Sequence, residues 1–132
     1  MSIASARAFF AEHASDLEVL ENGASTATVR EAANALGVTD GQIAKTLSLR
    51  VDDRVILLVT RGDARLDNRK YKDQFGTKAR MLPASEVPEI TGHPVGGVCP
   101  FGLAQPLGVY CDISLRAFDE VFPAAGAPNA AV

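Results

Sequence analysis

The stretch from Thr46 to Val59 constrains the fold more than any other, because two short apolar segments flank an Asp52-Asp53 turn. In the first segment, Leu47, Leu49 and Val51 alternate strictly with Thr46, Ser48 and Arg50, which is the period of a strand with one face buried. The second, Val55 to Val59, is apolar on both faces, as a central strand is. A hairpin with a buried second strand rules out an all-parallel sheet. Helical patterns are interleaved around it, and the predicted class is therefore α+β, a mixed, barrel-like sheet surrounded by helices.

The flanking elements follow from local signals. Ala6, Phe9, Phe10 and Ala14 have helical spacing and predict a short amphipathic helix over Ser5 to His13. Leu17 to Leu20 alternates like a first strand. Thr28 and Glu31 form a capping-box pattern for a helix that Gly37 ends. Asp40 to Ala44 reads as one more helical turn, delivering Lys45 to the start of the hairpin. Asp67 or Asn68 caps a basic helix running to Phe75, and Gly76 stops it. Beyond it, a short strand is expected at Ala79 to Leu82 and a helix around Ser85 to Ile90. A glycine-rich loop from Thr91 to Gly102 follows. A strand from Leu107 to Ile113, a helical turn at Ser114 to Phe118, a Pro/Gly/Ala-rich joint from Pro123 to Pro128 and a last strand from Asn129 to Val132 complete the reading.

With 132 residues, 47% of them hydrophobic, the chain can bury a core without metal or disulfide staples, and one domain over 1–132 is expected. No apolar run approaches the length of a membrane span and no signal-peptide pattern opens the chain, so a soluble, cytoplasmic protein with no membrane partner is expected. Two cysteines, Cys99 and Cys111, are too few for a zinc site or a disulfide framework. Both are expected as free thiols, with Cys111 a small buried hydrophobe in its strand.

The net charge of −3 argues against a protein that coats nucleic acid, but its distribution is uneven. Ten of the thirteen Lys and Arg lie between Lys45 and Arg80 against five acids, an excess of five positive charges. The remainder is acidic by eight. Such a segment is either a solvated face or a positive surface for a phosphate backbone.

Familiar catalytic motifs are missing: there is no GxSxG, HExxH, CxxC or phosphate-binding GxxxxGK[ST]. Cys99 as a nucleophile would need His93, the only local histidine, to lower its pKa. Lys45, at a junction between inward-going residues, either snorkels to water or places a cation in a pocket. The glycine-rich loop is either a tight connection or a set of backbone N–H groups for an oxyanion.

Three segments then resemble one family: Gln42-Ile43-Ala44-Lys45-Thr46-Leu47, Gly62-Asp63 with Leu66-Asp67, and above all Thr91 to Leu103 (TGHPVGGVCPFGL). They resemble the YbaK-like aminoacyl-tRNA deacylases, which include the editing domain inserted in bacterial prolyl-tRNA synthetases, and the similarity runs from about Thr26 onward. The resemblance implies hydrolysis of the ester that joins a wrong amino acid, typically Ala or Cys, to the 3′ end of a proline tRNA, with no metal or other cofactor. The family's lysine maps to Lys45, and its GxxxGGxxP loop maps to Gly92, Gly96, Gly97 and Pro100.

On this reading Lys45, Gly96 and Gly97 are catalytic, stabilising the oxyanion while water and the substrate's own groups carry out the attack. Thr26, Thr46, Gly92, Cys99, Pro100, Phe101 and Gly102 line the amino-acid pocket, and Arg69, Lys70 and Lys72 hold tRNA phosphates. Partners are the aminoacylated tRNA 3′ end and a prolyl-tRNA synthetase. Cys99 stands where relatives often have serine and is read as pocket lining. The chain stops about where the family has a final strand followed by another helix, so a shortened C-terminus is expected. The alternative is a non-catalytic module of the same fold that binds tRNA or a synthetase.

Overall fold

The structure is a computed structural model that describes residues 2–132. Its centre is the hairpin. Strand β2 (Ile43–Val51) pairs antiparallel with β3 (Arg54–Arg61) in continuous register from Ala44↔Arg61 to Val51↔Arg54. Asp52 makes the turn with φ of 54°, a left-handed conformation that Asp tolerates better than most residues. Leu49, Val51, Ile56 and Leu57 are almost wholly buried, in agreement with the strand pattern.

Two further strands complete the sheet in the order β4-β3-β2-β5: β4 (Gly108–Cys111) runs parallel to β3, and β5 (Phe122–Pro123) runs parallel to β2. A separate ribbon pairs β1 (Leu20–Glu21) with β6 (Ala130–Ala131), and a bridge between Ala124 and Ala131 joins this ribbon to the end of β5. The result is the mixed sheet predicted from sequence, curled into a half-barrel with helices around it.

Among the described residues four α-helices flank the sheet, α1 (Ser2–His13), α2 (Val29–Leu36), α3 (Asn68–Phe75) and the single-turn α4 (Val87–Thr91), together with two short 3-10 turns at Asp40–Gln42 and Ile113–Ala117. Capping signals were legible. The Thr28 hydroxyl accepts the Glu31 amide at 3.2 Å and Gly37 closes α2 at φ 70°. Asp67, not Asn68, caps α3, its carboxylate accepting the amides of Arg69 and Lys70. On one side of the sheet Leu49, Val51, Ile56 and Tyr71 form a core with Leu47, Leu58 and Phe75 around them; a second cluster, Phe10, Val19, Ala125 and Ala130, fixes α1 to the β1–β6 ribbon.

Several expected elements differ. The turn at Asp40 is 3-10 and ends at Gln42, so Lys45 is the third residue of β2, not its first. Leu17 is exposed and only Leu20–Glu21 pairs, because β6 offers just two partners. The Ala79 to Leu82 segment makes only a bridge, Leu49↔Met81, with backbone bonds Arg50 N–H to Arg80 O and Leu82 N–H to Ser48 O. The helix expected at Ser85 starts at Val87 and extends to Thr91. Strand β5, two residues at the edge of a proline-rich joint, had no local signature.

Leu57 is completely buried in the central strand, and Leu57→Ala should cost about 2–5 kcal/mol. Urea unfolding followed by far-UV circular dichroism measures this; a loss under 1 kcal/mol would show that β3 is not the centre of the core.

Candidate active site

A cavity of about 280 Å³ opens between the start of α2, the polar face of β2, the Met81 to Val87 segment and the Val95 to Val98 turn. Strand alternation builds its floor: Thr46 and Ser48 point away from the Leu47–Leu49 core and line the cavity, while Thr26 closes it from the loop before α2. The walls are mainly apolar, contributed by Ala32, Ile43, Val87 and Phe122 among others. The Oγ1 atoms of Thr26 and Thr46 are buried behind the cavity wall with no hydrogen-bond partner among the described residues, so the fold leaves their hydrogen-bonding capacity unused.

Lys45 contributes to the same wall. By alternation its side chain belongs to the Leu47 face, and its ammonium donates to the carbonyl of Ala64, in the loop after β3. No carboxylate pairs with it among the described residues. An ammonium has three N–H donors, and this one is engaged by a neutral carbonyl, with no carboxylate bonded to it.

The glycine-rich loop splits into two functions. Gly96 lines the cavity in a left-handed conformation (φ 89°), and its amide has no partner among the described residues. Gly97 does not line it: its amide donates to Pro94 O (2.9 Å), its carbonyl accepts from Gly126, and a Cβ there would sit 2.4 Å from the Ala127 nitrogen. Gly97 is glycine because backbone packs against it. Gly92, in turn, ends α4 at φ 80°.

Cys99, Pro100, Phe101 and Gly102 also lie away from the cavity. Phe101 packs on Phe9 and Phe10 of α1, with ring centroids 5.6 and 4.5 Å apart, and a Cβ on Gly102 would meet the Ser5 carbonyl at 2.3 Å. These residues anchor the loop to α1. Of the pocket and catalytic residues expected from sequence, the structure thus brings together Thr26, Lys45, Thr46 and Gly96. Ser48, Met81 and Val95 were missed; Ser48 was recoverable, since it shares the Thr46 face.

Cys99 does sit beside His93, with Sγ 3.5 Å from Nε2. The pair is nevertheless unsuited to nucleophilic catalysis. His93 Nε2 lies 2.6 Å from the Phe101 carbonyl, so this nitrogen carries the proton and donates it there, and cannot accept one from the thiol. Both residues have no exposed surface. Burial pushes the Cys99 thiol up to about 11 and lowers the His93 pKa below its ordinary value. Cys111 is the opposite of what its strand suggested: it is exposed, because β4 is an edge strand with little packed over it.

Arg69, Lys70 and Lys72 are exposed on α3 and form no ion pair among the described residues, in contrast to Arg7, Arg30, Arg50 and Arg61, which are paired. Lys70 and Arg65 border a second cavity of about 480 Å³, between α3 and β4, on the face of the sheet that carries Leu58 and Tyr110. No cluster of three or more His, Cys, Asp or Glu able to hold a metal occurs among the described residues, and no helix there is long and apolar enough to cross a membrane.

A family model described as the aminoacyl-tRNA editing domain matches residues 24–132. The chain belongs to the aminoacyl-tRNA editing domain family. The matched span contains every residue lining the 280 Å³ cavity, from Thr26 to Ala131. Among similar proteins, the uncharacterized protein YwhH of Bacillus subtilis is 50% identical over all of this chain and 85% of its own length. The proline–tRNA ligase of Bacillus licheniformis is 33% identical over 78% of the chain, which spans only 18% of that ligase. A solved structure described as a candidate trans-editing enzyme for prolyl tRNA synthetase superposes with a TM-score of 0.90 at 36% identity, over 98% of this chain and 83% of the other.

At pH 8 the folded protein should expose one reactive thiol, Cys111, and release the second, Cys99, only on unfolding. Thiol titration with a chromogenic disulfide, with and without urea, counts them; two fast thiols in the native protein would contradict the burial of Cys99.

Proposed function

We propose that this chain is a trans-editing hydrolase that removes a small mischarged amino acid, alanine or cysteine, from tRNA(Pro). One observation carries the reading: a mostly apolar cavity has together in its wall Thr26, Thr46, Gly96 and a lysine without a carboxylate partner among the described residues. A cavity of this size holds an amino-acid side chain and the ester next to it.

The chemistry asked of such a site is modest. An aminoacyl ester is already activated, so hydrolysis needs an oriented water and a place for the negative charge of the tetrahedral intermediate. Water adds to the ester carbonyl, the C–O bond to the terminal ribose breaks, and free amino acid and a tRNA hydroxyl result. The Gly96 amide and, once it turns from the Ala64 carbonyl toward the cavity, the Lys45 ammonium are the two donors suited to that oxyanion; a well-placed donor of this kind lowers the barrier by about 3–4 kcal/mol. In this reading Thr26, Thr46 and Ser48 orient the α-amino group and the water. No protein nucleophile is required, consistent with the protonated, buried surroundings of Cys99. Selection against proline rests on pocket shape, since a methylene is worth only about 1–3 kcal/mol. Acceptor-stem phosphates are assigned to Arg69, Lys70 and Lys72, and the reaction to the cytoplasm.

The test is a deacylation panel of Ala-, Cys-, Ser- and Pro-charged tRNA(Pro). Wild type should release alanine or cysteine and spare proline, and Lys45→Ala should lower kcat by about 10²–10³-fold without shifting the melting temperature. Full activity in that variant would overturn the mechanism, and tRNA binding without any turnover would favour a non-catalytic module.

Reversing Arg69, Lys70 and Lys72 to Glu should raise KM and flatten its dependence on salt, with kcat little changed. An unaltered salt slope would move the tRNA path off α3.

A further inference from the structure

The loop between β3 and α3 holds a carboxylate beside Lys45 that never reaches it. Asp63 immediately precedes Ala64, whose carbonyl takes the Lys45 ammonium, yet its own oxygens turn the other way: Oδ1 accepts from Arg61 Nε at 2.6 Å and Oδ2 from Arg61 Nη2 at 2.9 Å. This is a two-point contact whose geometry a planar guanidinium imposes and an ammonium cannot. Arg61 is itself fixed, since its guanidinium lies over the Phe118 ring, 4.9 Å from the centroid.

The surrounding backbone leaves this arrangement no slack. A Cβ on Gly41 would lie 2.8 Å from the Phe118 ring, 3.0 Å from Arg61 Nη2 and 3.2 Å from Asp63 Oδ2, so Gly41 vacates the space that the three side chains fill. At Gly62 a Cβ would stand 2.2 Å from the Asp40 carbonyl and 2.7 Å from Val29 Cγ1. The Arg61 to Ala64 turn is therefore pressed against the 3-10 turn before β2 and the first turn of α2, and Asp63 and Ala64 are presented together at the end of the hairpin where Lys45 lies. Arg61 holds the Asp63 carboxyl below its usual range, chiefly through these hydrogen bonds, with the Lys45 charge adding a smaller effect in the same direction. The carboxylate thus lies within the field of the lysine but is hydrogen-bonded elsewhere.

We propose that Arg61 is a positioning residue that keeps the Asp63 carboxylate off Lys45, so that the ammonium rests on a neutral carbonyl and stays available to a substrate oxyanion. Without Arg61, the freed carboxylate, one residue before the carbonyl that holds the ammonium, pairs with Lys45. A paired ammonium has both less charge and fewer donors to offer. Because the site is partly open to solvent, such a pair is weak and intermittent, and the loss is graded: about three- to fivefold in kcat, far below that of deleting Lys45.

The inference rests on the proposed role of Lys45, and a double-mutant cycle separates the two. On the alanine- or cysteine-charged tRNA that wild type hydrolyses, Arg61→Gln should lower kcat about three- to fivefold with KM unchanged, Asp63→Asn should leave kcat unchanged, and Arg61→Gln with Asp63→Asn should recover to wild type. Arg61→Lys, lacking the two-point geometry, should fall between. A merely structural role for Arg61 gives a double variant as slow as Arg61→Gln, or slower, with a lowered melting temperature in both, and that result overturns the proposal. If Lys45→Ala retains full activity, the reading of Lys45 fails instead, whatever the cycle shows.

Discussion

The antiparallel pairing of β2 with β3 is the constraint on which the remaining architecture depends. Its register places Lys45 opposite Thr60 and Ala44 opposite Arg61, so the lysine and the Arg61 to Ala64 turn meet at one end of the hairpin. The same pairing divides the side chains of β2. Leu47, Leu49 and Val51 go to the core under α3, and Thr46 and Ser48 go to the cavity. A slip of one residue would exchange the two faces, burying hydroxyls under Tyr71 and turning leucines into the cavity. Core stability and the chemistry of the site are therefore specified by one set of hydrogen bonds, and β4 and β5 add on either side without altering the division.

How far the fold was legible from sequence follows from what each element depends on. The hairpin, α2 and α3 were legible because strand alternation, Thr28, Asp67, Gly37 and Gly76 are local signals that the structure obeys. Strand β5 was not, because Phe122 and Pro123 become a strand only by lying beside Ile43 and Ala44, some 80 residues away. Cys111 was misread for a related reason: a strand pattern says nothing about whether the strand lies at an edge. In the candidate site, Lys45, Thr26, Thr46 and Gly96, which share one cavity wall, were singled out by resemblance, and composition and spacing had left Lys45 open. The same resemblance made the Cys99 to Gly102 stretch look like pocket lining, whereas its glycine and aromatic residues answer to α1, through Phe9, Phe10 and the Ser5 carbonyl. One motif serves two masters, and sequence does not separate them.

That division has a mechanical consequence. The Gly92 to Gly102 loop is held at both ends, by the α4 terminus and the Thr91 hydroxyl, which bonds Val87 O and accepts the His93 amide, and by Phe101 in the α1 cluster. In the middle, Gly97 is locked to Ala127 and Gly126, so the segment Pro94 to Gly97 is a short arch fixed on three sides. An arch of this kind keeps the Gly96 amide at a set distance from β2 with little freedom to lose on binding, and electrostatic stabilisation of a developing charge benefits most from donors that do not reorganise. The buried His93 belongs to this framework: its Nε2–H ties the loop back onto itself at Phe101, and a neutral imidazole suffices for that bond.

The contrast between the two cysteines and the lysine then shows how the proposed hydrolysis does without a catalytic triad. A nucleophilic thiol needs a depressed pKa and an accepting base; Cys99 has a raised pKa and faces an N–H. Burial weakens a thiol as a nucleophile, whereas an ammonium acts through its N–H donors, and those stay available when the neighbouring carboxylate is held by an arginine. Around Lys45 the fold spends its specific contacts on keeping a cation off a carboxylate: a carbonyl in place of a carboxylate at the ammonium, a two-point grip on Asp63, and two glycines that let the turn sit close enough for both. A site organised in this way is suited to a substrate that supplies its own reactive bond and needs only a place for the charge that appears when water adds to it.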